Sequence, residues 1–374
     1  MRKLSGLIVV LLVLISPTAD EHSHAASASL MKANEEAEAK GFIFETSHNA
    51  IVDKAKKEGR LRALISLDAK TIGSLVKLFR EKYPFLEMDV QEIAGREAGE
   101  RLLLELRTGR ANWDVARLAI ETYTAHLKHS KKVDLLGMAD RGVLKIPTKM
   151  IDPKNRNVLA TTSHIGTSAF NRCIMDPSRA PDSWEDFLKP EFKGKKFAVD
   201  IRPLNYIPMV AGSGEEKAVK YAKGLAAQQP IWVRGHSRSL VAMAAGEVAL
   251  HSMTNYNSAM EAMGKDPRGC LQVRLIEPIP VRLSGPQMVV ENATNPHAAI
   301  LWLEFIASPA AQEIIDEDEP LKSSIYSPDS AVEKVVRGKE LWVQGWDDFE
   351  KSDRWVQMIV EAFGFPKAEK RKGK

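Results

Sequence analysis

The chain has 374 residues, 44% of them hydrophobic, which is enough to bury two cores of ordinary size. Its net charge of +4 resides in the terminal segment PKAEKRKGK, where Lys367, Lys370, Arg371, Lys372 and Lys374 face only Glu369. The body is therefore neutral, which argues against the broad basic stripe that a nucleic-acid partner requires. Cys173 and Cys270 stand in no CxxC spacing, which excludes a metal ribbon and a thioredoxin-type motif. In an exported chain they either pair or remain two buried thiols.

The first 28 residues read as a cleaved export signal: basic Arg2 and Lys3, an apolar run from Leu4 to Ile15, and small residues at Ala26-Ser27-Ala28. The run is short of the ~20 residues of a spanning helix. From residue 51 onward the hydrophobic period alternates. LRALI (61–65) is a strand. Asp68 to Lys82 places Ile72, Leu75, Val76 and Phe79 on one helical stripe, with Asp68 as N-cap and Pro84 as stop. LEMDVQ (86–91) alternates as a strand, AGERLLLELRTG (98–109) is a helix closed by Gly109, WDVARLA (113–119) a strand and ETYTAHLKHSKK (121–132) a helix. Strand and helix in turn imply a parallel sheet covered on both sides. Residues 195–276 repeat this grammar through KKFAVD, PIWVRG, EVALHSM and LQVRLI, with helices between, so a second α/β domain is expected. IEPIPVRLSGPQMVV (276–290) reads as an extended connector back to the first. Asn295-Pro296 and Ser308-Pro309 each open a further helix, and the aromatics of the tryptophan-rich end are expected to pack over a core.

No GxSxG elbow, HExxH, Walker loop or GxGxxG follows a strand. His126 and His129, at i, i+3 among lysines, read as a solvated basic face rather than metal ligands, and the acidic run DEDEP (316–320) as a solvated helix end. The informative feature is a set of polar loops, each at the carboxyl end of an expected strand and each opening a helix: Ser66-Leu67-Asp68, Gly95-Arg96-Glu97, Ala116-Arg117, Asp200-Ile201-Arg202 and Gly235-His236-Ser237-Arg238-Ser239. Helix starts offer unpaired N–H groups and positive dipole ends, and the guanidinium fork suits carboxylate, phosphonate or phosphate.

The stretch IVDKAKKEGRLRALISLDAK…NWDV (51–115), followed by PDSWEDFLKPEFKGKKFAVD, LVAMAAGEVAL and NATNPHAAILWLEFIASPAAQEII, resembles the periplasmic solute-binding proteins of ABC transporters, in the branch that includes ferric-ion, polyamine, thiamine and phosphonate binders. The resemblance implies a bilobal type II periplasmic-binding-protein fold of two α/β domains, with crossovers near SHIGTSAFNR (163–172) and EPIPVRLSGPQ (277–287). The lobes would be residues 29–168 with 280–374, and 169–279. It implies that Ser66 with Leu67, Arg96, Glu97, Asp200, Arg202, Tyr206 and Tyr256 meet the ligand in the cleft, joined by Arg117 and Arg238 from the polar loops read above. Where many relatives have Tyr-Asn at the first crossover, this chain has Phe170-Asn171, and it lacks the adjacent tyrosines common in ferric-ion members. The chain is thus expected to be a monomeric periplasmic protein, not an enzyme, needing no cofactor and binding no nucleic acid. It would clamp a small polar solute, anionic or an anion-complexed metal, for an ABC permease. An enzyme or a sensor on the same scaffold is the competing expectation.

Overall fold

The computed structural model describes residues 19–364. The expected export segment lies outside the described residues up to residue 18, as does the basic tail from residue 365. Ten strands form one continuous mixed sheet: β1 (Arg60–Ile65), β2 (Glu87–Glu92), β3 (Val115–Arg117), β4 (Val158–Asn171), β5 (Ala198–Asp200), β6 (Ile231–Val233), β7 (Leu250–Asn255), β8 (Leu271–Arg274), β9 (Ile279–Val289) and β10 (Leu341–Gln344). Their order is β2-β1-β3-β9-β4-β7-β5-β6, with β10 against β9 and β8 against β4. The expected parallel sheets are present as β1–β2, β1–β3, β5–β6 and β5–β7. They are joined by antiparallel pairings of β4 and β9, and β8 also runs antiparallel to β4.

The two crossover segments are β4 and β9. Residues Val158 to Ile165 of β4 pair with β9 in the first sheet, and Gly166 to Asn171 pair with β7 and β8 in the second. Each sheet has an apolar core on both faces, as strand alternation requires. On β1, Leu61, Ala63 and Ile65 join one core with Leu75, Phe79 and Trp302, while Leu64 points to another with Leu102, Leu118 and Val281. In the second half Val199 and Phe170 face Trp184, Phe187 and Leu225, while Ala198 and Ala169 face Leu240 and Met243. The last helix, Ser352–Ala362, buries Trp355 and Ile359 in this second-half core. Gly212 is required there, since a Cβ would enter the Trp342 ring.

Three local expectations are corrected. His126 is fully buried at the end of the short helix Tyr123–Leu127, with Thr122 Oγ1 3.1 Å from its Nδ1, because the helical turn aims it inward, away from the neighbouring lysines. Burial lowers its pKa. The acidic run is mostly engaged rather than solvated: Asp316 accepts from the N–H groups of Lys322, Ser323 and Ala331, Asp318 pairs with Lys70, and Glu319 is 8% exposed, while Glu317 stays exposed. Asn295 does not cap its helix through its side chain. Its Nδ2 donates to Asp114, and the Glu58 carboxylate takes over the helix start Pro296–Ile306, accepting from His297 N at 3.1 Å and Ala298 N at 2.8 Å.

Glu58 is also part of a clasp. His297 Nδ1 lies 2.7 Å from Glu58 Oε1 and Nε2 3.0 Å from Glu45 Oε1, so both ring nitrogens donate and the imidazolium is the form that fits. Burial opposes that charge, but the two carboxylates outweigh it and raise the histidine pKa. A raised folded-state pKa means the stabilisation is complete below the ordinary histidine value of about 6.5 and is lost as pH rises through the folded-state value. In thermal melts across pH, the wild-type advantage over His297→Gln should therefore shrink on the alkaline side. A constant difference would refute the clasp. The cysteines form a disulfide that ties the segment after β4 to the start of β8 across a separation of 97 residues. Replacing both by serine should cost about 2–5 kcal/mol in denaturant unfolding, and no loss would show that the β-ladder alone holds the second half.

Candidate functional site

The site grows from the β4–β9 ladder. Both strands are buried along nearly their whole length, and the partly open positions are His164 on β4 and Ser284 on β9. Register places Thr162 opposite Ser284 and His164 opposite Arg282, so strand alternation brings all four onto one face at the point where the chain passes between the halves. Gly285 follows at φ +59°. A Cβ there would lie 2.9 Å from Thr162 Oγ1 and 3.0 Å from Thr161 Oγ1, so glycine alone lets the β9 backbone meet these hydroxyls, with Ser66 Oγ at 3.7 Å.

The first half closes on this floor through the loop after β1 and the turn after the helix Pro309–Asp318. Glu319 Oε1 accepts the Asp68 N–H at 2.9 Å and the Thr71 hydroxyl at 3.0 Å, and its other oxygen is paired with Lys322. The helix start at Ala69, expected from sequence to face a ligand, is thus already served by a carboxylate of the chain itself. Lys322 Nζ also reaches the Ser66 carbonyl at 3.5 Å.

The second half contributes the loop after β5 and two helix starts. Asp200, 1% exposed, accepts from Arg202 N at 2.9 Å, Arg202 Nη2 at 2.9 Å and Gly235 N at 3.2 Å, with His236 Nδ1 at 3.6 Å. Burial alone would raise the Asp200 pKa, but the bonds from Arg202 and the nearby His236 lower it. The Arg202 side chain remains about half exposed. Burial holds His236 at about 4 and His251, 6.1 Å away between ring centres, at about 3.

His164 joins the two sides. Burial pushes its pKa well below the usual histidine range, and the positive charges of Arg282 and Lys322 add to this, with His236 also adjacent. Asn257, in the first turn of the helix Tyr256–Lys265, acts weakly in the other direction. His164 Nδ1 and Asn257 Oδ1 are buried atoms with no hydrogen-bond partner among the described residues. Buried polar atoms of this kind call for a reason, and here they lie beside Arg282 and Lys322.

Among the residues singled out from sequence, the structure places Ser66 on one side of this floor and Asp200 with Arg202 on the other. Leu67 packs into the first-half core at 2% exposure. Tyr206 is equally buried, its hydroxyl 2.8 Å from Ser252 Oγ and its ring edge-on to Phe363. Both side chains are committed to packing. Tyr256 is partly buried against the second core of the first half, and burial raises its pKa. Arg117 ends β3 and acts electrostatically on His126. Arg96 and Glu97 stand in the first turn of the helix Gly95–Arg107, with Glu97 exposed, and Arg238 is exposed on the helix His236–Ala245. Sequence reading did not single out His164, Arg282, Lys322 or Asn257. The available signal was a histidine and an arginine inside the two crossover segments, where neighbouring strand positions are apolar or small. Among the described residues no group of three or more His, Cys, Asp or Glu side chains is placed to hold a metal ion.

No curated protein matches the chain by sequence. Solved structures similar to it include the apo ferric ion-binding protein A of Pasteurella haemolytica, at TM-score 0.63 and 16% identity, covering 83% of this chain and 100% of that one. The Trichodesmium IdiA (FutA) protein in complex with iron and citrate ligands is similar at TM-score 0.62 and 18% identity, over 81% and 99%. The substrate binding protein of an ABC transporter from Agrobacterium tumefaciens is similar at 0.61 and 16%, over 83% and 96%. The fold is that of the bilobal periplasmic binding proteins. The model of the bacterial extracellular solute-binding protein family matches residues 126–352, more than half of the chain and inclusive of both crossover strands, and the chain belongs to that family.

Proposed function

We propose that this solute-binding protein takes a small anion, or a metal held in an anionic complex, in the cleft between its lobes and passes it to the permease of an ABC uptake transporter. The observation that carries the reading is the cross-strand pair His164–Arg282 at the hinge, with Lys322 approaching from one lobe and Arg202 and His236 from the other. The two carboxylates nearby, Glu319 and Asp200, are already engaged by Lys322, Arg202 and backbone N–H groups, so they favour no free cation. A solute bridging floor and lobes would shift the population toward a closed form. Ser66 and Arg202 are the contacts retained from the sequence reading, joined by His164, Arg282, Lys322 and Asn257.

Ferric ion is compatible with this reading when it arrives with its own anionic ligands; the Trichodesmium structure is a complex with iron and citrate ligands. Direct capture by tyrosines has less support. Tyr206 is tied up in the core and Tyr326 is packed beneath Lys149.

Mature protein should be screened by thermal shift against citrate, ferric citrate, oxalate, sulfate, methylphosphonate, spermidine and thiamine. Ligands that bind the native state raise the melting temperature, and the anions should do so while spermidine and thiamine do not. The opposite pattern would overturn the anion reading. For an anion that binds, Arg202→Ala and Lys322→Ala should each weaken affinity by about 1.5–3 kcal/mol through loss of a charge-assisted bond. Unchanged affinity in calorimetry would remove that residue from the site.

A further inference from the structure

We propose that capture of the anion at the hinge floor is coupled to uptake of a proton by His164, making this histidine the residue that selects anions over neutral solutes and ties affinity to the pH outside the cell. The inference rests on the anion reading of the cleft given above and goes beyond it by assigning one atom set and one thermodynamic signature.

The geometry carries the argument. His164 is the partly open position of β4, and four neighbouring groups act on it. β9 presents Arg282 directly across the ladder, and Ser284 two residues on. The turn after the helix Pro309–Asp318 presents Lys322, whose partner Glu319 is turned to the Asp68 N–H and Thr71. The helix His236–Ala245 presents His236, which lies 3.6 Å from the Asp200 carboxylate, itself engaged by Arg202. The helix Tyr256–Lys265 presents the neutral amide of Asn257. Arg282, Lys322 with its partner Glu319, and a second imidazole act on the ring, and the positive charges of Arg282 and Lys322 both disfavour its protonation. A proton on His164 is therefore opposed by burial and by its neighbours, consistent with the strong downward shift of its pKa.

An anion seated against Arg282 and Lys322 reverses the sign of that local field. The charged imidazole then gains a partner for its charge, while its buried Nδ1 stays on the side of the ring away from solvent, with the Asn257 amide adjacent to the ring. Binding that favours the protonated ring must take up a proton. Affinity then falls with rising pH by up to about tenfold per unit between the free and bound pKa values, and is flat above both. Neutral solutes cannot induce the change and lose this contribution.

The test is titration calorimetry of the mature protein with oxalate and sulfate, neither of which titrates across the range from about pH 5 to about pH 7.5, in buffers of different ionisation enthalpy. The expected result is net proton uptake approaching about one per anion, with affinity falling as pH rises. In parallel, ring nitrogen NMR of histidine-labelled protein at fixed pH should show His164 moving to the imidazolium signature on addition of the anion. His164→Gln should melt as a folded protein, bind the anion more weakly at acidic pH and lose both the uptake and the pH slope. Anion binding with no proton uptake overturns the coupling while leaving the anion reading intact. Uptake that persists undiminished in folded His164→Gln, or an NMR signature that settles on His236, overturns the assignment to His164. Failure of both anions to bind at any pH overturns the anion reading and the coupling together. The NMR result on wild-type protein decides the matter if the variant does not fold.

Discussion

Two antiparallel strands shared by both sheets are the constraint on which the rest of this molecule depends. β4 changes partners at Gly166, from β9 on one side to β7 and β8 on the other, and β9 connects β3 and β10 to that same ladder. Because hydrogen bonding is continuous through the crossover, the two halves cannot separate without breaking the sheet. Four apolar cores, one on each face of each sheet, keep the halves themselves rigid.

That arrangement explains why the site's cations are on the hinge. Inside a doubly covered sheet, strand positions are apolar, and a histidine opposite an arginine would be costly at mid-strand. At the crossover His164 and Ser284 are the partly open positions, on one face of the ladder. Polar side chains are tolerated here because helices and loops from both halves bring groups to meet them.

The second organising feature is the use of carboxylates to satisfy helix starts and loops. Glu58 serves the helix at Pro296, Glu319 the start of the helix at Ala69, and Asp200 the loop at Gly235. Each also holds a basic side chain: His297, Lys322 and Arg202 respectively. Repeated three times, this motif fixes the backbone by charge-assisted bonds. Beside the crossover strands it pairs the Glu319 and Asp200 carboxylates with Lys322 and Arg202.

What the sequence determined by itself is whatever depends on local periodicity and on the chemistry of short segments. The stripe of Ile72, Leu75 and Phe79 selects a helix, LRALI a strand, and the order of such units two α/β halves, because burial patterns follow from repeat lengths of 3.6 and 2. The polar loops at strand ends, including Ser66, Asp200 and Arg202, were visible for the same reason. What only the tertiary structure decided is every pairing between segments far apart in sequence. Asp68 is answered by Glu319, Cys173 by Cys270, His164 by Arg282 and Tyr206 by Ser252, and no local pattern encodes these partners. Whether a tyrosine fills a core or a histidine faces a cleft depends on which distant surface covers it. That outcome is set by the crossing of β4 and β9, since it is the packing of the two halves around one ladder that assigns each side chain its neighbours.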